Sequence, residues 1–158
     1  MKILTLLLFT LALQAPAQTN SLADPKELQK WIGSNKETNR AKTEERVLVV
    51  VVTIQPKAKQ PFELWIKDVL YAALYKSKSE MKKAQLMTTR WLEPVRQNTD
   101  STWTYCWIMD PVIPKTDYDI LTFLKNEYGP EAGEKHWEKY LSFMAHDPLV
   151  VGLKQTGY

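Results

Sequence analysis

Four side chains in this sequence are of types that carry chemistry: Arg90, Tyr105, Asp110 and His136 are the candidate catalytic residues. Arg90 lies in a stretch of alternating polarity, where its planar fork suits an anionic ligand group; beside Glu93 it also reads as a solvent-facing strand residue. Asp110 ends an apolar run and precedes Pro111, a strand-to-loop position where reactive carboxylates sit and where aspartate also simply builds a turn. His136 would need a partner carboxylate and a cleft to act as a general base; next to Trp137 it reads more plainly as a partly exposed helix residue. His146, just before Asp147-Pro148, reads as a helix C-terminal residue favoured by the helix dipole.

A second set is aromatic. Trp91, Trp103, Tyr105 and Trp107 are the candidate ligand-binding residues, because aromatic walls with a few polar groups line small-molecule pockets. The same rings equally fill the space between a sheet and its helices. Cys106, the one cysteine, reads as a small buried apolar residue, since a reactive thiol needs an electropositive, accessible setting. It has no partner for an intramolecular disulfide.

Several chemistries lack their residues. None of the five glycines stands in a phosphate-cradling spacing after a strand. The two histidines are ten apart, outside any zinc-binding pattern, and no serine lies in a nucleophile elbow. No cofactor and no metal are therefore expected. A formal net charge of +3 makes no electrostatic case for nucleic acid.

These residues need elements to hold them. The chain opens with Met1-Lys2, an apolar run from Ile3 to Leu13, and Ala15-Pro16-Ala17. This is the layout of a signal peptide, with a cut predicted after Ala17 and a periplasmic or secreted mature protein. The apolar run is shorter than a membrane span, and no later segment is long and apolar enough for one. Residues 18–46 read as a short helix from Asp24 to Ile32 followed by a polar linker, and residues 47–158 as one domain. At 44% hydrophobic and 25% charged, that domain can build an ordinary core.

Val47 to Ile54 reads as a central strand covered on both faces. Pro61 to about Lys78 reads as a helix with Phe62, Trp65, Ile66, Val69, Leu70 and Ala73 on one face. From Gln85 to Ile108 the pattern alternates, predicting a long antiparallel hairpin with its turn at Asn98-Thr99-Asp100-Ser101. Trp103, Tyr105, Trp107 and Met109 then share one face, and Thr104, Cys106 and Ile108 the other. Thr116 or Asp117 is expected to cap a helix that closes at Tyr128-Gly129-Pro130, and Asp119 also reads as a helix cap. A following helix places Trp137, Tyr140, Leu141 and Met144 on one face, before a last strand at Leu149-Val150-Val151.

The predicted fold class is α+β: a ferredoxin-like βαββαβ antiparallel sheet with helices packed on one face and an extra helix before the last strand. From Arg46 to Val151, in element order and in its Trp-rich hairpin, the chain resembles the dimeric α+β-barrel domains. The segment Trp103 to Tyr118 is also similar to small exported bacterial proteins without an assigned role. The first resemblance implies a homodimer, and an enzyme of the metal-free monooxygenase or isomerase kind as one reading of function. The residues themselves favour a non-catalytic domain that binds a small apolar ligand or associates with itself through the aromatic-rich sheet face. A structural or partner-binding protein, docking through Asp24 to Ile32, is the third reading.

Overall fold

The computed structural model describes residues 40–157. The leader, the short helix at Asp24 to Ile32 and most of the polar linker lie outside the described residues. The described chain is a mixed α+β fold with a four-stranded, fully antiparallel open sheet. β1 (Arg46–Ile54) is followed by a continuous helical rod: α1 (Lys59–Trp65), a π-helical segment (Ile66–Tyr71) and α2 (Ala72–Lys76). Then come α3 (Glu80–Met87), β2 (Thr89–Leu92), β3 (Trp103–Met109), α4 (Ile120–Tyr128), α5 (Pro130–Leu141) and β4 (Leu149–Lys154). Among the described residues no helix is long and apolar enough to cross a membrane.

The strand order is β2-β3-β1-β4, so the valine-rich β1 is central, as its β-branched run predicts. The register lines up Trp91, Trp107, Val50 and Val150 in one row across all four strands. The next row, Leu92, Cys106, Val51 and Leu149, points to the opposite face. All helices cover the first, inner face, where Val52, Ile54 and Tyr105 join Phe62, Trp65, Leu124 and Tyr140 in the core. The prediction that β1 is covered on both faces is therefore corrected. Only Val52 and Ile54 of β1 are buried, and Val47, Val49 and Val51 stay half-exposed on a face that no helix among the described residues covers.

Three further expectations shift. The alternating pattern does not begin at Gln85, because α3 runs through Met87. Ser79 caps α3 by accepting from Lys82 N, and the strong helix formers Met81 to Leu86 carry it on. The cap of α4 is Asp119, also read as a helix cap, and not Thr116 or Asp117; its carboxylate accepts from Leu121 N and Thr122 N. On α5, Leu141 is exposed and Phe143, just past the helix end, is buried in its stead. His146 likewise lies five residues beyond α5, exposed, and ends no helix.

Gly129, at φ +87°, makes the sharp turn between α4 and α5, and Pro130 starts α5 where a missing N–H costs nothing. The two helices then touch at Gly133, where a Cβ would fall 2.5 Å from backbone atoms of Lys125. Opposite them, Tyr128 donates its hydroxyl to the Val69 carbonyl in the π-helical segment at 2.8 Å. That bond ties the irregular part of the rod to α4, adding a second donor to a carbonyl that already accepts from Ala72 N.

Candidate functional site

Rings and aliphatic side chains divide the inner face of the sheet. On β2 and β3, Trp91 stacks on Tyr105 at 4.9 Å and meets Trp107 at 4.7 Å. Phe62 of α1 packs edge-on against Tyr105 at 4.9 Å and also touches Trp91, Tyr140 and Phe143. This half is solid. Toward the other end of the strands the inward side chains are the smaller Leu48, Val50, Thr89, Met109 and Val150, and these border open space. A cavity of about 390 Å³ remains, open toward solvent and within the range of small-molecule sites.

Every helical element named above except α1 contributes to its wall. The π-helical segment and α2 supply Leu70, Tyr71 and Leu74; α3 supplies Lys82, Gln85 and Leu86. Ile120 and Phe123 come from α4, Trp137 and Tyr140 from α5, and Trp107 and Met109 from β3. The wider π turn is a feature that recurs at functional sites, and here it lies against the cavity. Burial, reinforced by the Glu93 carboxylate, pushes the Tyr71 phenol up to about 12, and burial pushes Tyr140 up as well. Both stay protonated at neutral pH.

The polar groups of the wall gather at one end. Lys82 Nζ and Gln85 Nε2 both donate to the carbonyl of Asp117, at 2.7 and 2.9 Å. Lys82 Nζ also stands 5.5 Å from the centre of the Phe123 ring. Asp119 is the carboxylate of the wall, and its bonds to the start of α4 hold its carboxyl below the usual range. Thr122 is the chief donor there, with Leu121 N and the Lys82 charge adding to it.

Of the four aromatic candidates, Trp107 lines this cavity. Trp91 and Tyr105 belong to the solid half, and Trp103 lies at its margin, donating Nε1 to the Pro56 carbonyl under the Lys59 ammonium. The catalytic candidates do not converge. Arg90 and Asp110 meet on the outer face, Nη2 to Oδ2 at 2.6 Å, and Asp110 Oδ1 accepts from Ala41 N at 2.7 Å. Tyr105 points inward and donates to Glu63 Oε1 at 2.7 Å, an oxygen that Lys59 also holds. Burial and the Glu63 bond push its phenol far up. His136 is half-buried on α5 with its ring 4.6 Å from Tyr128. Cys106, expected to be buried, is half-exposed on the outer face, with its thiol pushed up by burial of its surroundings.

A second hollow, of about 690 Å³, lies at the β2–β3 turn and is lined by Thr53, Arg96, Asn98, Asp100 and His146 among others. Its polar groups largely bind one another: Asn98 Nδ2 donates to Thr102 and Thr104, and Asp100 accepts from Thr102. Among the described residues no three His, Cys, Asp or Glu side chains cluster as a metal ion would require.

No family model matches the chain, nor does any curated protein or solved structure. The cavity-lining residues Leu70, Leu74, Lys82, Gln85 and Phe123 were not among the sequence candidates. The one signal for them is size: the inward positions Leu48, Val50, Thr89, Met109 and Val150 carry no ring, where Trp91, Trp103 and Tyr105 farther along the strands do.

Proposed function

We propose that this chain is an exported α+β domain that binds a small, mainly apolar molecule without catalysis. The observation that carries the proposal is the cavity of about 390 Å³ between the aliphatic half of the inner sheet face and the helices. A core that merely needed filling would place larger side chains there, since voids are destabilising. The antiparallel order β2-β3-β1-β4 supports reading the sheet as ferredoxin-like. The metal-free enzyme reading draws no support from the site. Its substitutions at Arg90, Tyr105 and Asp110 address two opposite faces of the sheet.

A thermal-shift screen of the mature protein against apolar metabolites tests the binding role. A ligand at a hundred times its Kd should stabilise by about 2.7 kcal/mol, and the midpoint should rise with concentration. Leu74→Trp, which fills the cavity, should keep the fold and abolish the shift. A flat response to a broad panel would remove the proposal.

The outer face favours a second, compatible role in self-association. Val49, Val51, Cys106, Ile108, Leu92, Leu149 and Leu153 lie on it, and Leu92, Leu149 and Leu153 are exposed. The ion pair on that face among the described residues, Arg90–Asp110, neutralises itself within the chain, so two copies can meet face to face without opposing charges there. The expected partner is thus a second copy, meeting the aliphatic face; helices cover the aromatic one. Light scattering of Val51→Glu should report a monomer where the parent is a dimer, and a monomeric parent would exclude this role.

A further inference from the structure

We infer that the ligand of the inner cavity is an amphipathic acid, a hydrocarbon or ring body carrying a single carboxylate that pairs with Lys82. This rests on the apolar-ligand reading above and sharpens it. Lys82 is the cation of the cavity wall, half-buried on α3. The ion pairs among the described residues do not include it. An ammonium has three donors, and the bond to the Asp117 carbonyl uses one.

That bond does more than satisfy a donor. Gln85, three residues on and on the same face of α3, donates to the same carbonyl. Lys82 and Gln85 are thereby tied to one fixed oxygen beside the cavity, so the cation is positioned before any ligand arrives. The neighbouring carboxylate of Asp119 feels the Lys82 charge but makes no ion pair with it. Asp119 accepts from Leu121 N at 3.2 Å, from Thr122 N at 3.0 Å and from Thr122 Oγ1 at 2.5 Å, which commits it to the start of α4.

From this end the cavity runs into an apolar interior formed by Trp107, Tyr140, Leu70 and Phe123. Such a shape takes an apolar body inward and leaves a head group at Lys82. A neutral head would leave the partly desolvated ammonium unpaired, and a cationic head would be repelled by it. A carboxylate forms a charge-assisted bond with the remaining donors.

Isothermal titration of the mature protein with decanoate and with 1-decanol separates the charge from the chain. Decanoate should bind about tenfold more tightly than decanol. Lys82→Gln should erase that preference by weakening decanoate alone, and Lys82→Arg should restore most of it. Equal binding of acid and alcohol to the parent protein would overturn the inference and leave the apolar cavity standing as a binding site. An unchanged preference in Lys82→Gln would overturn it too. If neither compound binds, the cavity reading fails and takes this inference with it.

Discussion

The two faces of one sheet, built from the same four strands, live in different surroundings. Among the described residues, the inner face carries Trp91, Trp103, Tyr105 and Trp107 and is covered by the helices; the outer face, mostly valine, leucine and isoleucine, is covered by none of them. The difference teaches that ring content and exposure answer separate needs. Rings are needed where a flat sheet must meet the uneven underside of several helices, because each supplies a large area and adapts by tilting. A face made of aliphatic side chains is smoother, and suits contact with another flat surface. The inner face itself changes character along its strands, from the level of Trp91, Tyr105 and Val52, where side chains fill the gap, to the level of Leu48, Thr89 and Met109, where it stays open.

The sharpest way to break this comparison is to remove equal chemistry from both faces. Phe62 is fully buried at the centre of the ring cluster. Phe62→Ala should cost about 3–5 kcal/mol in urea unfolding. Val51→Ala, at a half-exposed outer position, should cost about 1 kcal/mol or less. Similar losses at both sites would mean that the outer face is covered as thoroughly as the inner one.

The helical cover depends on a contact made by the absence of a side chain. Gly133→Ala would ordinarily favour the α5 helix by about 1 kcal/mol. Here the new methyl would collide with the Lys125 backbone of α4, so a net loss of about 1–3 kcal/mol is expected. Urea unfolding measures it, and a neutral or stabilised variant would show that α4 and α5 are not pressed together. The outer face has its own, smaller dependence on one polar device. Asp110 is 8% exposed and joins Arg90 to Ala41 N, so Asp110→Ala leaves two donors unpaired. About 1–2 kcal/mol should be lost, less than for a deeply buried pair because Arg90 is one-third exposed. Retention of full stability would mean that water replaces the carboxylate at no cost.

Much of this division was legible in the residues. Strict alternation from Trp103 to Met109 assigned the rings to one side, and the valine run marked β1 as central. The turn at Gly129-Pro130 was equally plain, since one residue frees the backbone and the next needs no donor. Periodicity said nothing about which face a helix covers, because a valine tract flanked on one side and a tract flanked on two look alike. Gln85 to Thr88 misled for a related reason: Leu86 and Thr88 alternate with Met87 as a strand would, yet their helix propensity and the Ser79 cap decide for α3. The cavity was invisible in principle. It is a volume left between strands and helices from most of the described chain, and no local pattern records where their separations exceed what their side chains fill.

The smallest expected effect concerns the cover of the inner face and tests how tightly α4 meets α5. His136 lies between them against Tyr128, and burial holds its imidazole below its ordinary value. The unfolded chain then binds a proton at a higher pH than the folded one does. Stability rises with pH where the unfolded state holds more protons, so this histidine favours folding fully above the ordinary histidine range. Its contribution is lost as pH falls through that range and below it. Urea midpoints should accordingly drop between pH 7.5 and pH 5, and the drop should be shallower in His136→Gln. A drop equally steep in the variant would assign the dependence to carboxylates elsewhere. An opposite slope attributable to His136 would mean that a partner charge holds its proton on, which the packing against Tyr128 does not supply.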